Sequence, residues 1–209
     1  MAICPDEFKT LGDSLERDGW CVSDRLFPAD MLLALAEQCQ QLDEQDQLTR
    51  AGIGRGGSHM LDRRVRGDRT RWLDTRHSAL QAQFLEHMHS LRITLNRRLL
   101  LGMESFEAHY ALYPPGTFYA RHRDRFQDDD ARVLSAVLYL NQDWAPADGG
   151  ALRLYLPDGG HHDVLPQHGR LALFLSAQFD HEVLPTRRER ISIAGWFRRR
   201  TLRDAPPTL

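Results

Sequence analysis

From residue 106 to residue 197 the chain reads as eight short β-type runs: FEAHYALY, TFYARHR, RVLSAVLYL, ALRLYL, HDVLP, RLALFL, HEVLP and RISIAGWF. Between them stand PPG, DDD, PADGG, PDGG, QHG and TRRER, all rich in turn-forming or charged residues. Short strands at this spacing predict an antiparallel sandwich or jelly roll.

The first hundred residues carry a different pattern. PDEFKTLGDSLERDG places Phe8, Leu11 and Leu15 at helical spacing and stops at Gly19. WCVSDRLF is short and β-like, and Pro28 then opens an amphipathic helix, PADMLLALAEQCQQLDEQ, as its first residue. Residues 78–101 form a second long helical pattern closed by Gly102. Between the helices lies AGIGRGGSHMLDRRVRGDRTRWLDTR, polar and without periodic apolar residues, which reads as a loop. Its glycines resemble a phosphate loop only weakly, because no strand is predicted before them and no helix start follows. Trp72 within it favours a functional loop. The expected fold is mainly β with supporting helices, a double-stranded β-helix (jelly roll) core packed against N-terminal α-helices. The expected organisation is one domain over 1–209. Residues 1–105 give helical support with a mobile loop at 52–76, 106–200 form the catalytic core, and 201–209 form a tail.

Composition excludes several classes. Twenty-seven basic residues stand against 29 acidic ones, which argues against a general nucleic-acid binder. The RRR at 198–200 reads as an exposed charge run. No apolar run approaches the length of a membrane span, since LNRRLLLGM is broken by two arginines. MAICPDEFKTLGD has no basic segment followed by an apolar one, so a cytoplasmic location is expected. Cys4, Cys21 and Cys39 lack Cys-x-x-Cys spacing and read as reduced thiols.

The ten histidines then narrow to a few. On a strand, positions i and i+2 share a face about 6.6 Å apart. His122 and Asp124 can therefore lean onto one cation. His161 and Asp163 repeat the spacing but follow a Gly-Gly turn and read as solvated. His87 and His89 fall on different sides of a helix, His59 and His77 lie in the loop region, and His109 reads as a packed or surface strand residue. His181, 59 residues after His122, is the best third ligand. Two imidazoles and one carboxylate on one face of an octahedron leave three positions open, as in non-haem Fe(II) oxygenases. Arg190, nine residues further on, can pair bidentately with the carboxylate of a dicarboxylic acid.

These residues, with Tyr113-Pro114, LYLNQDW at 138–144, the Gly-Gly turn before Leu152 and Arg153, and RISIAGW at 190–196, resemble the 2-oxoglutarate- and iron-dependent prolyl hydroxylases. That group includes the hypoxia-inducible-factor prolyl hydroxylases and their bacterial relatives. The resemblance runs from Tyr113 to Trp196, and VRGDRTRWLD at 65–74 looks like the group's mobile loop. It implies that His122, Asp124 and His181 bind Fe(II), and that Arg190 and Tyr139 hold the distal carboxylate of 2-oxoglutarate, with Tyr113 lining the same pocket. Tyr119, Arg132 and Trp196 would surround the target prolyl residue, and Arg66, Asp68 and Trp72 would belong to the closing loop, Asp68 pairing with Arg132. Ala194 departs from the pattern, standing where the animal enzymes carry Thr.

The implied function is hydroxylation of a prolyl residue at C4 in an exposed loop of a protein, with O2 consumed and succinate and CO2 released. Ascorbate would be a supporting reductant, and elongation factor Tu the suggested substrate. The other expectations are a monomer with no stable nucleic-acid partner and no membrane association. Two other readings of the same residues stay open: the same cofactors acting on a small molecule, free amino acid or nucleobase, and a non-catalytic iron or oxygen sensor.

Overall fold

The computed structural model describes residues 5–52, 65–124 and 131–200. Helix α1 (Pro5–Asp18) leads to strand β1 (Trp20–Ser23), and helix α2 (Ala29–Glu44) to β2 (Thr49–Arg50). Strand β3 (Arg69–Trp72) and helix α3 (Ala79–Leu99) follow. The rest is β4 (Ser105–Tyr113), β5 (Tyr119–His122), β6 (Arg132–Tyr139), β7 (Leu152–Tyr155), β8 (His161–Val164), β9 (Leu171–Leu175), β10 (His181–Val183) and β11 (Arg190–Arg198). All eight expected runs are strands. They close into a jelly roll of two antiparallel sheets, a larger one ordered β1-β9-β6-β11-β4-β3-β2 and a smaller one ordered β5-β10-β7-β8.

Alternation along the strands explains how the larger sheet serves two neighbours. On β4, Ala108, Tyr110 and Leu112 join the core beneath the helices, while Glu107, His109, Ala111 and Tyr113 line a cavity between the sheets. On β11, Ile191, Ile193 and Phe197 face the helices, while Arg190, Ser192, Ala194, Trp196 and Arg198 line the cavity. The helices contribute Leu11, Leu15, Met31, Leu32, Leu35, Phe84, Met88, Leu91 and Leu95 to that core. Their amphipathic faces thus cover one side of the sheet and leave the other for chemistry.

Four sequence expectations need correction. Pro28 is the N-cap of α2, with extended backbone, and Ala29 is the first helical residue. Helix α3 is closed by Leu100 in the left-handed region (φ 51°), two residues before Gly102. The His161–Asp163 segment is strand β8 and not a turn, although its side chains are exposed as expected and Asp163 is paired to Arg153.

The fourth correction concerns 52–76. A strand, β2, precedes the glycines, and Arg69–Trp72 is itself a strand paired to β4, with Trp72 opposite His109. Residues 65–67 bond instead to the smaller sheet, where Ala120 N–H donates to Val65 O (2.7 Å) and Gly67 N–H to Phe118 O (3.0 Å). This chain therefore crosses from one sheet to the other. Ladder bonds come from the backbone, so a polar run pairs as well as an apolar one. The glycine-rich residues 53–64, the DDD turn, Cys4 and the tail 201–209 lie outside the described residues. Cys21 and Cys39 are buried free thiols. No described helix is long and apolar enough to cross a membrane.

Leu100 is 86% exposed and so gains little from packing, while its left-handed backbone costs about 1 kcal/mol for a residue with a Cβ. Leu100→Gly is expected to stabilise the protein by about 1 kcal/mol in urea unfolding. A loss of stability would show that the exposed side chain contributes a contact of its own.

Candidate active site

The two best histidine candidates meet because of strand register. His122 on β5 and His181 on β10 are direct cross-strand partners, so both side chains leave the smaller sheet on the same face. Their rings lie 4.2 Å apart between centroids. Asp124, two residues beyond His122, adds its carboxylate at 3.7 Å from His122 Nε2 and 3.5 Å from His181 Nε2. One donor atom from each of the three residues lies within 4.8 Å of the others. A first-row metal with bonds of about 2.1 Å sets neighbouring ligand atoms about 3 Å apart, so small side-chain shifts would complete the site.

The ring nitrogens are already sorted. His122 Nδ1 faces the Ala120 carbonyl (2.8 Å) and His181 Nδ1 the Phe179 carbonyl (3.3 Å). A carbonyl only accepts, so each Nδ1 carries a proton, and each Nε2 is the atom turned toward Asp124. Burial first, and the neighbouring His181 ring second, push the His122 imidazole down to about 4. Burial alone would raise the Asp124 carboxyl, but His181, His122 and the Ser135 hydroxyl outweigh it and bring it to about 2. Ser135 Oγ, on β6, donates to Asp124 Oδ2 at 2.7 Å and lies 2.8 Å from Ser176 Oγ. The result is a buried, ionised carboxylate facing two imidazole Nε2 atoms, the donor set of a divalent cation.

A second group of polar atoms lies deeper. Arg190 is 1% exposed, its Nε donating to Gly150 O (2.8 Å) and its Nη1 to Ser192 Oγ (3.2 Å). Its Nη2 and the Tyr139 hydroxyl are buried without any hydrogen-bond partner. The guanidinium carbon is 5.0 Å from the ring centres of both Tyr113 and Tyr139. Burial pushes the Tyr139 phenol up to about 12, so it remains a donor. Two unfilled buried donors, one of them cationic, fit a carboxylate. Gly150 makes this possible: its φ is +67°, and a Cβ there would sit 3.1 Å from Arg190 Cδ.

The same cavity, about 560 Å³, is lined by Tyr113, Arg190, the three candidate metal ligands and a wall of Trp72, His109 and Trp196. Trp72 is 54% exposed, with its ring edge-on to His109 (5.1 Å) and 6.2 Å from Trp196. Tyr119 stacks on His122 (3.7 Å), and Arg66 lies over the Tyr119 ring (4.4 Å). Asp68 does not pair with Arg132 as expected. Arg66 grips it bidentately (2.8 and 2.6 Å), being only two residues away and fixed against β5 by the bridge to Tyr119. Arg132 instead bonds Glu107 (3.3 Å) and lies 3.6 Å over Trp196.

This geometry defines an oxygenase built around a non-haem metal, and comparison with known proteins agrees. The profile of the 2OG-Fe(II) oxygenase superfamily matches residues 108–198. A hypoxia-inducible factor prolyl hydroxylase of Caenorhabditis elegans is 30% identical over 91% of the chain, and a mouse prolyl hydroxylase 29% identical over 88%. The chain spans 28% of the worm protein's length and 80% of the mouse protein's. A crystal structure of a Pseudomonas putida prolyl-4-hydroxylase is 46% identical, with a TM-score of 0.84 over 93% of this chain and all of that one. A Trichoplax adhaerens prolyl hydroxylase, 24% identical, shares the fold at the same TM-score. The chain belongs to the 2-oxoglutarate- and iron(II)-dependent oxygenases, and within them to the prolyl hydroxylases. Fe(II), 2-oxoglutarate and O2 are the reagents of that class.

Several functional neighbours escaped the sequence reading. Ser135, Glu107, Ser192 and Arg198 fall on the cavity face purely by alternation, and His109 is part of the cavity wall. Counting every second residue along β4, β6 and β11 would have found them.

The depressed His122 value has a thermodynamic sign. Below its ordinary 6.5 the unfolded imidazole takes up a proton that the folded one refuses until about 4, so acid favours unfolding in that window. Metal-free protein should melt at falling temperature as pH drops from 6.5 to about 4. His122→Asn should flatten that slope in calorimetry. An unchanged slope would show that the stability loss arises elsewhere.

Proposed function

We propose that this chain hydroxylates a prolyl residue, at C4, in an exposed segment of a protein substrate. The observation that carries the reading is continuity: one cavity joins the three metal-binding side chains, the carboxylate cradle and an aromatic wall that is open to solvent at Trp72. When bound, Fe(II) with 2-oxoglutarate and O2 supplies the oxidation, one oxygen atom going to succinate as CO2 leaves and the other to the product.

The chain's own residues do the positioning. His122, Asp124 and His181 hold the metal by one face and leave the other for reactants. Arg190 and Tyr139 receive the distal carboxylate of 2-oxoglutarate, with Tyr113 beside them, and so fix the oxoacid's direction. Ala194 lines this cavity with only a methyl group. Tyr119, Trp196 and Arg132 shape the prolyl subsite, and Trp72, Arg66 and Asp68 on the sheet-crossing segment close it. Elongation factor Tu is the protein to assay first, on the resemblance to bacterial members of the family.

Succinate released from Fe(II), 2-oxoglutarate and elongation factor Tu should match the gain of one oxygen atom on proline, read by mass spectrometry. Succinate formation with no oxidised proline in any protein substrate would overturn the reading. Arg190→Met should lose on the order of 2–5 kcal/mol of 2-oxoglutarate binding, because it removes the cation the co-substrate's buried carboxylate needs. Tyr139→Phe, which removes one donor, should weaken binding by about tenfold in calorimetric titration. Unchanged affinity in both would place the co-substrate elsewhere.

A further inference from the structure

Asp124 can meet a metal in two ways, and the choice decides how many positions stay open. Oδ1 lies 3.7 Å from His122 Nε2 and Oδ2 lies 3.5 Å from His181 Nε2, so by distance alone both oxygens could reach one cation. Two imidazoles and two carboxylate oxygens would fill four positions of an octahedron and leave two. A chelating oxoacid takes both of those, and O2 then has no place beside it. A single carboxylate oxygen leaves three positions, enough for both reactants.

Two buried hydroxyls bear on that choice. Ser135 lies within β6, opposite Trp196 of β11 on one side and Phe174 of β9 on the other, so both ladders fix where its side chain points. Ser135 and Ser176 are fully buried, and a buried hydroxyl is costly unless it is hydrogen-bonded. Ser135 Oγ is 2.7 Å from Asp124 Oδ2 and 2.8 Å from Ser176 Oγ. An ionised carboxylate only accepts, so the one hydrogen of Ser135 goes to Oδ2, and Ser176 donates its own to Ser135. A hydrogen bond to a charged acceptor is about twice as strong as a neutral one. Among the described residues no hydrogen bond reaches Oδ1. A metal at Oδ2 would share that oxygen with the serine's hydrogen, whereas at Oδ1 it meets no such rival.

We infer that Ser135 is a positioning residue that keeps Asp124 a one-oxygen ligand: its hydroxyl holds Oδ2, the metal takes Oδ1, and three coordination positions stay open. This rests on the assignment of His122, Asp124 and His181 as metal ligands and is independent of which substrate is oxidised. Ser176 satisfies the oxygen of Ser135 and has no contact of its own with the carboxylate in this role. The same strand braces a second ligand, since the Phe174 ring stands edge-on to His181 at 4.7 Å.

The test counts exchangeable waters on bound Mn(II) by water-proton relaxation, in the full chain with the metal at saturation for each variant. The unaltered chain should show about three waters, falling to about one when 2-oxoglutarate is added. Ser135→Ala frees Oδ2 for the metal and should show about two, falling to none with 2-oxoglutarate. Ser135→Thr keeps the hydroxyl and should return the count to about three. Ser176→Ala removes a neighbouring buried hydroxyl but leaves the hydrogen of Ser135 on Asp124, so it should also keep about three. A merely loosened interior would lower the count in both alanine variants alike. An unchanged count in Ser135→Ala, or an equal fall in Ser176→Ala, overturns the inference. The ligand assignment has its own arm, in which His181→Ala should weaken Mn(II) binding by more than about tenfold. If His181→Ala binds Mn(II) as the unaltered chain does, that assignment fails and the inference with it. Weakened binding in His181→Ala beside an unchanged count in Ser135→Ala sinks only the role given to Ser135.

Discussion

Two imidazole nitrogens and a carboxylate converge in a largely buried corner where the two sheets meet, an arrangement that a divalent cation would complete. Each imidazole turns Nδ1 to a backbone carbonyl, which leaves both Nε2 atoms facing Asp124. Much of the local structure serves this convergence. Cross-strand pairing of β5 with β10 brings the imidazoles together. Ser135, reaching from the larger sheet, fixes the carboxylate of a residue that follows a strand of the smaller one. Asp180, next to His181, binds both Arg121 and Arg123, which flank His122, and so ties the same two strands a second time. These latter pairs are part-exposed, so their worth lies in alignment more than in energy.

The larger sheet shows how a modest chain supports such a corner. One face is nearly continuous hydrocarbon against three helices, from Leu35 and Met88 to Phe197. The other bears Arg190, Ser192, His109, Glu107 and Trp196, residues that a core would reject. A strand's period of two lets adjacent residues do opposite jobs without conflict. The helices contribute no residue to the cavity lining. Their part is to bury the apolar face, so that the strands can commit every second position to chemistry.

Legibility followed the same division. Strong alternation and turn residues made the eight strands of the jelly roll readable, and the His-x-Asp spacing with a late histidine and Arg190 made the centre readable. Strand β3 was hidden because Arg-Thr-Arg-Trp has no apolar rhythm, and its pairing is decided by the backbone of β4. The partner of Asp68 was hidden for a related reason. Arg66 wins it through the bridge of residue 66 to Tyr119, a tertiary event with no local trace. Leu100 took the left-handed position that Gly102 was expected to fill because helix length is set by packing, whereas propensity only biases where it stops. Ser135 looks like any strand serine until Asp124 is placed beside it.

The inner cavity is best understood as two opposite deficits held at a fixed separation. Around Asp124 a cation is missing; around Arg190 an anion is missing, since no described carboxylate pairs with that guanidinium and one of its nitrogens bonds nothing. Burying either charge unmatched is expensive, and the protein alone relieves neither. An external dicarboxylate with a metal-chelating end relieves both in one act, on the proposed assignment, because its two ends carry what each deficit lacks. A monocarboxylate would satisfy one site and leave the other buried and unpaired. On that assignment, selection of a dicarboxylic oxoacid follows from there being two deficits for its two ends to fill. The glycine at 150, which admits Arg190 by having no Cβ, keeps one of those deficits open.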